Sequence, residues 1–356
     1  MRHKFISIQY LRGLAALLVL ASHALLYPLV EHTLFYGRMG WLGVILFFVI
    51  SGFIMVVVTG DERFSAGDFL RRRAIRIVPM YWGATLFAAA LAFFLPELFK
   101  TTVYDTGELI LSLLFIPFHN PESGGIHPLY KLGWTLNYEV FFYVCFALLA
   151  FLSAKMRVVW LTLGFVALSI IGATLVPQDA IAKFYTTFMP LAFVAGAWLG
   201  YATLRGRLQL LSGKTIVPAA ALGAVGLVAG FGVDHANLVE DWQAFIGFLA
   251  FATALVLLAV RFETTVPRVK LAELIGDASY SIYLIHIYAV AVVADIAFKF
   301  LDPANLWAYA GVSTLAVFGG TLGGIVVYRG LEQPLLGIFS RLFGKRRRTP
   351  VAAPAE

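Results

Sequence analysis

Apolar runs close to twenty residues long recur along the chain, separated by short stretches that hold most of its charge. A helix rises 1.5 Å per residue, so crossing a hydrocarbon layer of ~30 Å takes about 20 apolar residues. On that rule the pattern predicts ten spans, near residues 5–27, 40–59, 74–95, 133–154, 157–176, 184–204, 215–233, 242–260, 274–300 and 306–331. The segment 107–118, GELILSLLFIPF, is too short to cross and reads as a re-entrant or interfacial piece. The fold class expected is all-α: a polytopic membrane bundle of about ten transmembrane helices. An even number of crossings leaves both termini on one side.

The basic residues choose that side. With the spans so placed, 21 of the 27 Lys and Arg fall with the termini, five fall opposite (Arg38, Lys100, Lys131, Lys183, Lys299), and Arg12 lies within the membrane. Positive residues stay on the cytoplasmic face, so both termini are expected there. Composition supports the span pattern, since 60% hydrophobic and 13% charged residues leave too little polar surface to wrap a water-soluble core of 356 residues. The net charge of +7 is dispersed in clusters between apolar runs, a topology signal that gives no reason to expect nucleic acid as a partner. A single cysteine, Cys145, excludes an intramolecular disulfide and a cysteine-based metal site. MRHK followed by an apolar run and ASHA has the outline of a secretory signal, but Arg12 interrupts the apolar region and further spans follow at once, so an uncleaved helix is expected. Residues 1–340 read as one membrane domain and 341–356 as a basic, disordered cytoplasmic tail. The long external connection 96–132, marked by prolines and Gly124-Gly125, reads either as a lid or as a passive link.

Polar residues inside apolar runs carry the candidate chemistry. Arg12 and His23 are eleven residues apart, three turns plus roughly 20°, so they lie nearly on one line about 16 Å apart along the first helix. An intramembrane Arg costs at least ~2.5 kcal/mol and marks a polar cavity by default; the alternative is that Arg12 snorkels to the headgroups and His23 ends the span. Glu139 falls at a depth matching His23 and pairs with it as acid and base, or is a structural partner for another polar group. Arg71, Arg72, Arg73 and Arg76 stand at the mouth of the third span, where their planar forks suit phosphate; flanking positive charge is also what topology alone demands. Asn137 beside Glu139, and Ser279, Tyr283 and His286 on one face of the ninth span, are candidates to line the same cavity or to bond between helices. His119 and His127 read as surface residues of the external loop. No histidine pair has metal spacing, and no metal is expected.

The run IQYLRGLAALLVLASHA, with its arginine-to-histidine spacing, resembles the opening helix of the acyltransferase-3 family of membrane O-acyltransferases. GVILFFVISGFIM, FLRRRAIRIVPMYW, WTLNYEVFFY and SYSIYLIHI follow in that family's order, and within the family the chain is most similar to short exopolysaccharide, O-antigen and nodulation-factor acetyltransferases. The resemblance implies transfer of an acyl group, acetyl above all, from cytoplasmic acyl-CoA to a hydroxyl of a cell-surface polysaccharide or its lipid-linked precursor. It implies His23 as the catalytic histidine with Glu139 as the carboxylate, and Arg12, Arg71, Arg72, Arg73 and Arg76 on the acyl-CoA. A saccharide acceptor, membrane lipid and polysaccharide synthesis or export proteins are the partners expected. The competing readings are a transporter or flippase using Arg12, His23 and Glu139 as a relay, and a membrane scaffold that needs none of the three.

Overall fold

The computed structural model describes residues 5–26, 34–98, 102–232 and 241–343. They form fourteen helices: α1 Ile6–Leu26, α2 Leu34–Thr59, α3 Ala66–Phe94, α4 Thr106–Leu113, α5 Trp134–Leu148, α6 Ala154–Leu175, α7 Ala180–Tyr185, α8 Leu191–Leu204, α9 Gly213–Gly232, α10 Trp242–Arg261, α11 Lys270–Asp277, α12 Ser279–Ala297, α13 Leu306–Val327 and α14 Gln333–Phe343. No strand occurs among the described residues, and an isolated bridge joins His119 to Ile126. Among the described residues, eight helices are long and apolar enough to cross a membrane, against the ten spans expected. The chain is an all-helical, multi-pass membrane bundle.

The differences from the expected spans have local causes. The expected span at 133–154 is a helix of 15 residues, and 184–204 divides into α7 and the 14-residue α8. Pro190 stands at the start of α8, where its missing N–H costs nothing and its ring discourages helix in the residue before it. The expected span 274–300 is interrupted at Ala278, separating α12 from α11, whose Lys270, Glu273 and Asp277 make it amphipathic. The last span does not stop at 331: a π-helical turn over Tyr328–Glu332 carries α13 into α14, which includes Arg341. The remainder of the expected tail, 344–356, and Lys100 lie outside the described residues. α3 begins eight residues before the expected start at 74, with Ser65 accepting from the Asp68 N–H at 3.2 Å, so its arginines belong to the helix itself. α2 likewise begins before residue 40, so Arg38, expected in an external connection, is buried in the helix and donates to the Gly230 carbonyl at 2.8 Å.

Lipid tails are as apolar as leucine, so close packing, not expulsion from water, holds such helices together. α2 and α8 meet backbone to backbone through Gly52 and Gly196: a Cβ on Gly52 would stand 1.9 Å from the Phe193 carbonyl oxygen, and one on Gly196 1.8 Å from that of Val49. Beside this seam Phe193 is stacked between Phe48 and Phe142, with centroids 4.4 and 4.5 Å away. At the bundle end holding the start of α1, Glu263 accepts the N–H groups of Ile6 and Ser7 at 2.7 and 3.0 Å and the Ser7 hydroxyl, satisfying first-turn donors that no carbonyl can reach. Arg157, with no exposed surface, donates to Thr59 Oγ1 at 3.0 Å and to the Gly60 and Glu62 carbonyls, joining α6 to the turn after α2. At the opposite end the 102–133 connection is packed down: Tyr81 and Trp82 of α3 donate to the Ser112 and Leu113 carbonyls at 3.0 and 2.9 Å, and Tyr130 donates to the Leu284 carbonyl of α12.

Candidate functional site

α1, α2, α3, α5 and α12 enclose a cavity of about 780 Å³, counted to its open mouth. Arg12, Arg73, Arg76, Glu139, Ser51, Tyr143, Ser279, Tyr280 and Tyr283 supply its polar lining, and Phe47, Phe48, Ile54 and Ile77 are among the apolar residues of its wall. The helical period explains the choice. On α3 positions 73, 76 and 77 share a face and reach the cavity. Arg72 points outward, and Arg71 pairs with Asp68 at 3.2 Å. Of the five arginines expected on the donor, the fold therefore brings three to the cavity, Arg73 and Arg76 from α3 and Arg12 from α1.

Three guanidinium groups thus face one carboxylate. Glu139 is held by hydroxyls, accepting from Ser51 Oγ at 3.2 Å and from Tyr143, and these two hydroxyls are 3.2 Å apart. The arginines are left undersupplied. Arg12 donates to Gln9 Oε1 at 3.2 Å. Arg73 lies over the rings of Phe69 and Tyr143, 5.7 and 6.0 Å from their centroids, and its buried Nε has no hydrogen-bond partner. Arg76 makes no hydrogen bond or close ion pair among the described residues. A buried donor without an acceptor is costly, and a wall that sets three guanidinium groups against one carboxylate suits an anion. Ser279 Oγ, also on the cavity, is a further buried group without a partner.

His23 is not in that cavity. It sits three turns further along α1, half-buried, with Nδ1 3.0 Å from the Val19 carbonyl and 3.1 Å from Nε2 of His286. The expected His23–Glu139 pair does not form, because matching depth in two helices says nothing of azimuth: α5 turns Glu139 toward Ser51, while α12 brings His286 to His23. His286, expected on the cavity, is fully buried behind it. Tyr283 is the wall between, its ring centroid 6.1 Å from that of His286 and its hydroxyl 2.6 Å from Thr135 Oγ1, a second lining residue. Asn137 also lies off the cavity, 1% exposed, with neither amide atom hydrogen-bonded.

Sequence reading missed Glu332, which is 3% exposed in the π-helical turn, accepts from Ser281 Oγ, and lies close enough to Arg12 and Arg76 to feel their charge. Its signal was available: it is the sole acid between Asp302 and Glu356, set against an apolar run. In the loop, His127 is buried, not on the surface as expected. Its Nε2 is 2.5 Å from Ser123 Oγ and its Nδ1 3.0 Å from the Pro128 carbonyl. Burial holds its pKa below the ordinary imidazole range, the Pro128 bond opposing and the Lys131 charge adding to the shift. Glu108 is shifted upward by burial and by the Asp105 charge, against a hydrogen bond from Asn120 at 3.1 Å. His119 is exposed, 3.1 Å from the Gln178 carbonyl.

Known proteins share this chain's sequence over most of its length. Residues 5–329 match the family model described as an acyltransferase domain. The chain is 37% identical over 316 residues to the exopolysaccharide production protein ExoZ of Rhizobium meliloti (strain 1021), covering 88% of this chain and 94% of that one. It is 27% identical to the acyltransferase MdmB of Streptomyces mycarofaciens, over 88% of this chain and 84% of that one. It is 26% identical to the putative acetyltransferase ORF330 of Acidianus two-tailed virus, over 79% and 82% of the two chains. No solved structure matches the chain.

Proposed function

The chain belongs to the acyltransferase-3 family and is a membrane O-acyltransferase, and on that premise we propose that it moves an acetyl group from cytoplasmic acetyl-CoA to a hydroxyl of a cell-surface polysaccharide or its lipid-linked precursor. The observation that carries the donor is the cavity, whose lining sets three guanidinium groups, Arg12, Arg73 and Arg76, against one carboxylate, Glu139, and leaves Arg73 Nε without a partner. Phosphates of a coenzyme are acceptors of the right charge, and forked guanidinium groups bind them with two hydrogen bonds each. The likeness to an exopolysaccharide production protein supports the saccharide. The Lys and Arg bias supports cytoplasmic termini in a bacterial inner membrane, where polysaccharide synthesis and export proteins would present the acceptor.

His23 is the base of this reading, which has the acyl arm of the coenzyme pass the Tyr283 wall between the cavity and the ring. Its Nε2 makes no hydrogen bond among the described residues, and the residue is half-buried. The acceptor oxygen bonds to the thioester carbonyl carbon, its proton passes to His23 Nε2, the carbon–sulfur bond breaks, and the proton leaves with the thiol. Glu139 acts in the donor cavity, holding Ser51 and Tyr143, and not on the imidazole. The test is purified protein in lipid nanodiscs with labelled acetyl-CoA and deacetylated polysaccharide. Alkali-labile label on the saccharide is expected from the parent, and at no more than a small residual rate from His23→Ala of unchanged thermal midpoint. Label that never reaches saccharide, or that reaches it at the parental rate in His23→Ala, overturns the proposal.

A further inference from the structure

Three ring nitrogens in the His23–His286 pair have identifiable partners, and the partners fix where the hydrogens are. Backbone carbonyls only accept. His286 Nδ1 is 2.7 Å from the Tyr283 carbonyl and 3.2 Å from that of Ile282, so it carries hydrogen and donates to its own helix. A neutral His286 then has its lone pair on Nε2, aimed at His23 Nδ1 3.1 Å away. His23 Nδ1 also faces the Val19 carbonyl at 3.0 Å, so it too carries hydrogen and shares it between two acceptors. The remaining lone pair of His23 is thereby placed on Nε2, the nitrogen without a protein partner.

We infer that His286 is the positioning residue of the reaction: it holds His23 in the Nδ1–H tautomer and in fixed orientation, the task a buried carboxylate performs in other acid–base pairs. The inference rests on the reading of His23 as base. His286 is suited to the role because it cannot turn away. It has no exposed surface, both Nδ1 acceptors belong to its own preceding turn, and α13 approaches closely enough that a Cβ on Gly320 would stand 3.6 Å from the His286 Cβ. The rings lie 4.9 Å apart at 47°, so the Nε2 lone pair meets the Nδ1 hydrogen and the faces are not stacked. A neutral acceptor also spares the site a second charge beside the forming imidazolium.

The test is a two-by-two cycle of His23→Ala and His286→Ala, with His286→Gln as the conservative replacement, all in nanodiscs. In His286→Ala, kcat is expected to fall on the order of 10- to 100-fold with KM for acetyl-CoA unchanged; this is short of the loss from removing the base, because the Val19 carbonyl still holds the Nδ1 hydrogen. His286→Gln, which returns an acceptor oxygen near the lost Nε2, recovers most of the rate. In the His23→Ala background, His286→Ala has no further effect, since there is no ring left to position. A parental kcat in His286→Ala, failure of Gln to rescue at unchanged thermal midpoint, or an equal loss in both backgrounds overturns the inference. A fully active His23→Ala removes its premise instead, so the two failures are told apart.

Discussion

Replacing Gly196 by alanine tests whether the backbones of α2 and α8 are in direct contact. The added methyl would stand 1.8 Å from the Val49 carbonyl oxygen, 2.7 Å from its carbon and 2.9 Å from the Phe53 nitrogen. Carbon and carbonyl oxygen rest no closer than about 3.3 Å, so the helices must part by roughly 1.5 Å at this crossing. All three obstructing atoms are backbone, so no side chain can swing aside. Parting also loosens the Phe48–Phe193–Phe142 stack, and a gap of ~1 Å forfeits up to about half of a dispersion contact. Overpacking that a core absorbs costs about 1–3 kcal/mol; here the expected cost is at least ~3 kcal/mol. The assay is the thermal midpoint for loss of the monodisperse peak in detergent, by fluorescence-detected size exclusion. Gly164→Ala on α6, where the methyl meets nothing within 4 Å, is the control and is expected to match the parent. A parental midpoint in Gly196→Ala would refute the backbone contact and, with it, close packing as what holds these two helices together.

Arg73→Ala and Arg76→Ala are each expected to raise KM for acetyl-CoA about 10- to 150-fold, from ~1.5–3 kcal/mol per charge-assisted contact, while Arg71→Ala and Arg72→Ala leave it within a factor of about two. Steady-state kinetics on purified protein decides this, and equal effects at all four positions would contradict it. Arg157→Ala, which strands the Thr59, Gly60 and Glu62 acceptors, is expected to lower the thermal midpoint by the equivalent of ~3 kcal/mol without altering KM. The pKa of His127 is held below the unfolded value of about 6.5, so its contribution to loop stability is complete above that pH and is lost as pH falls toward the folded value. Limited proteolysis of the 119–130 loop is therefore expected to accelerate between pH 7.5 and 5 in the parent and to change less in His127→Gln.

Eight of the ten expected spans and the polar inventory were legible in the sequence because both are one-dimensional: the length of an apolar run, and the presence of Arg12 or His23 inside one. Azimuth was not. Glu139 and His23 agree in depth, yet face different neighbours, and only the crossing of α12 over α1 decides that His286 meets the ring. The four arginines near residue 73 look alike in a string, and the start of α3 at Ala66 determines which two turn inward. Glu332 was hidden for another reason: it sits where a widened π-helical turn continues past the point at which hydropathy stops.

The carboxylate that receives the first turn of α1 lies 257 residues downstream of Ile6. A ribosome adding about 5–20 residues per second reaches it roughly 13–50 s after adding Ile6. Ser279, Tyr280 and Tyr283, which line the cavity together with Arg12, come later still, so the cavity is complete only once the last third of the polypeptide has been made.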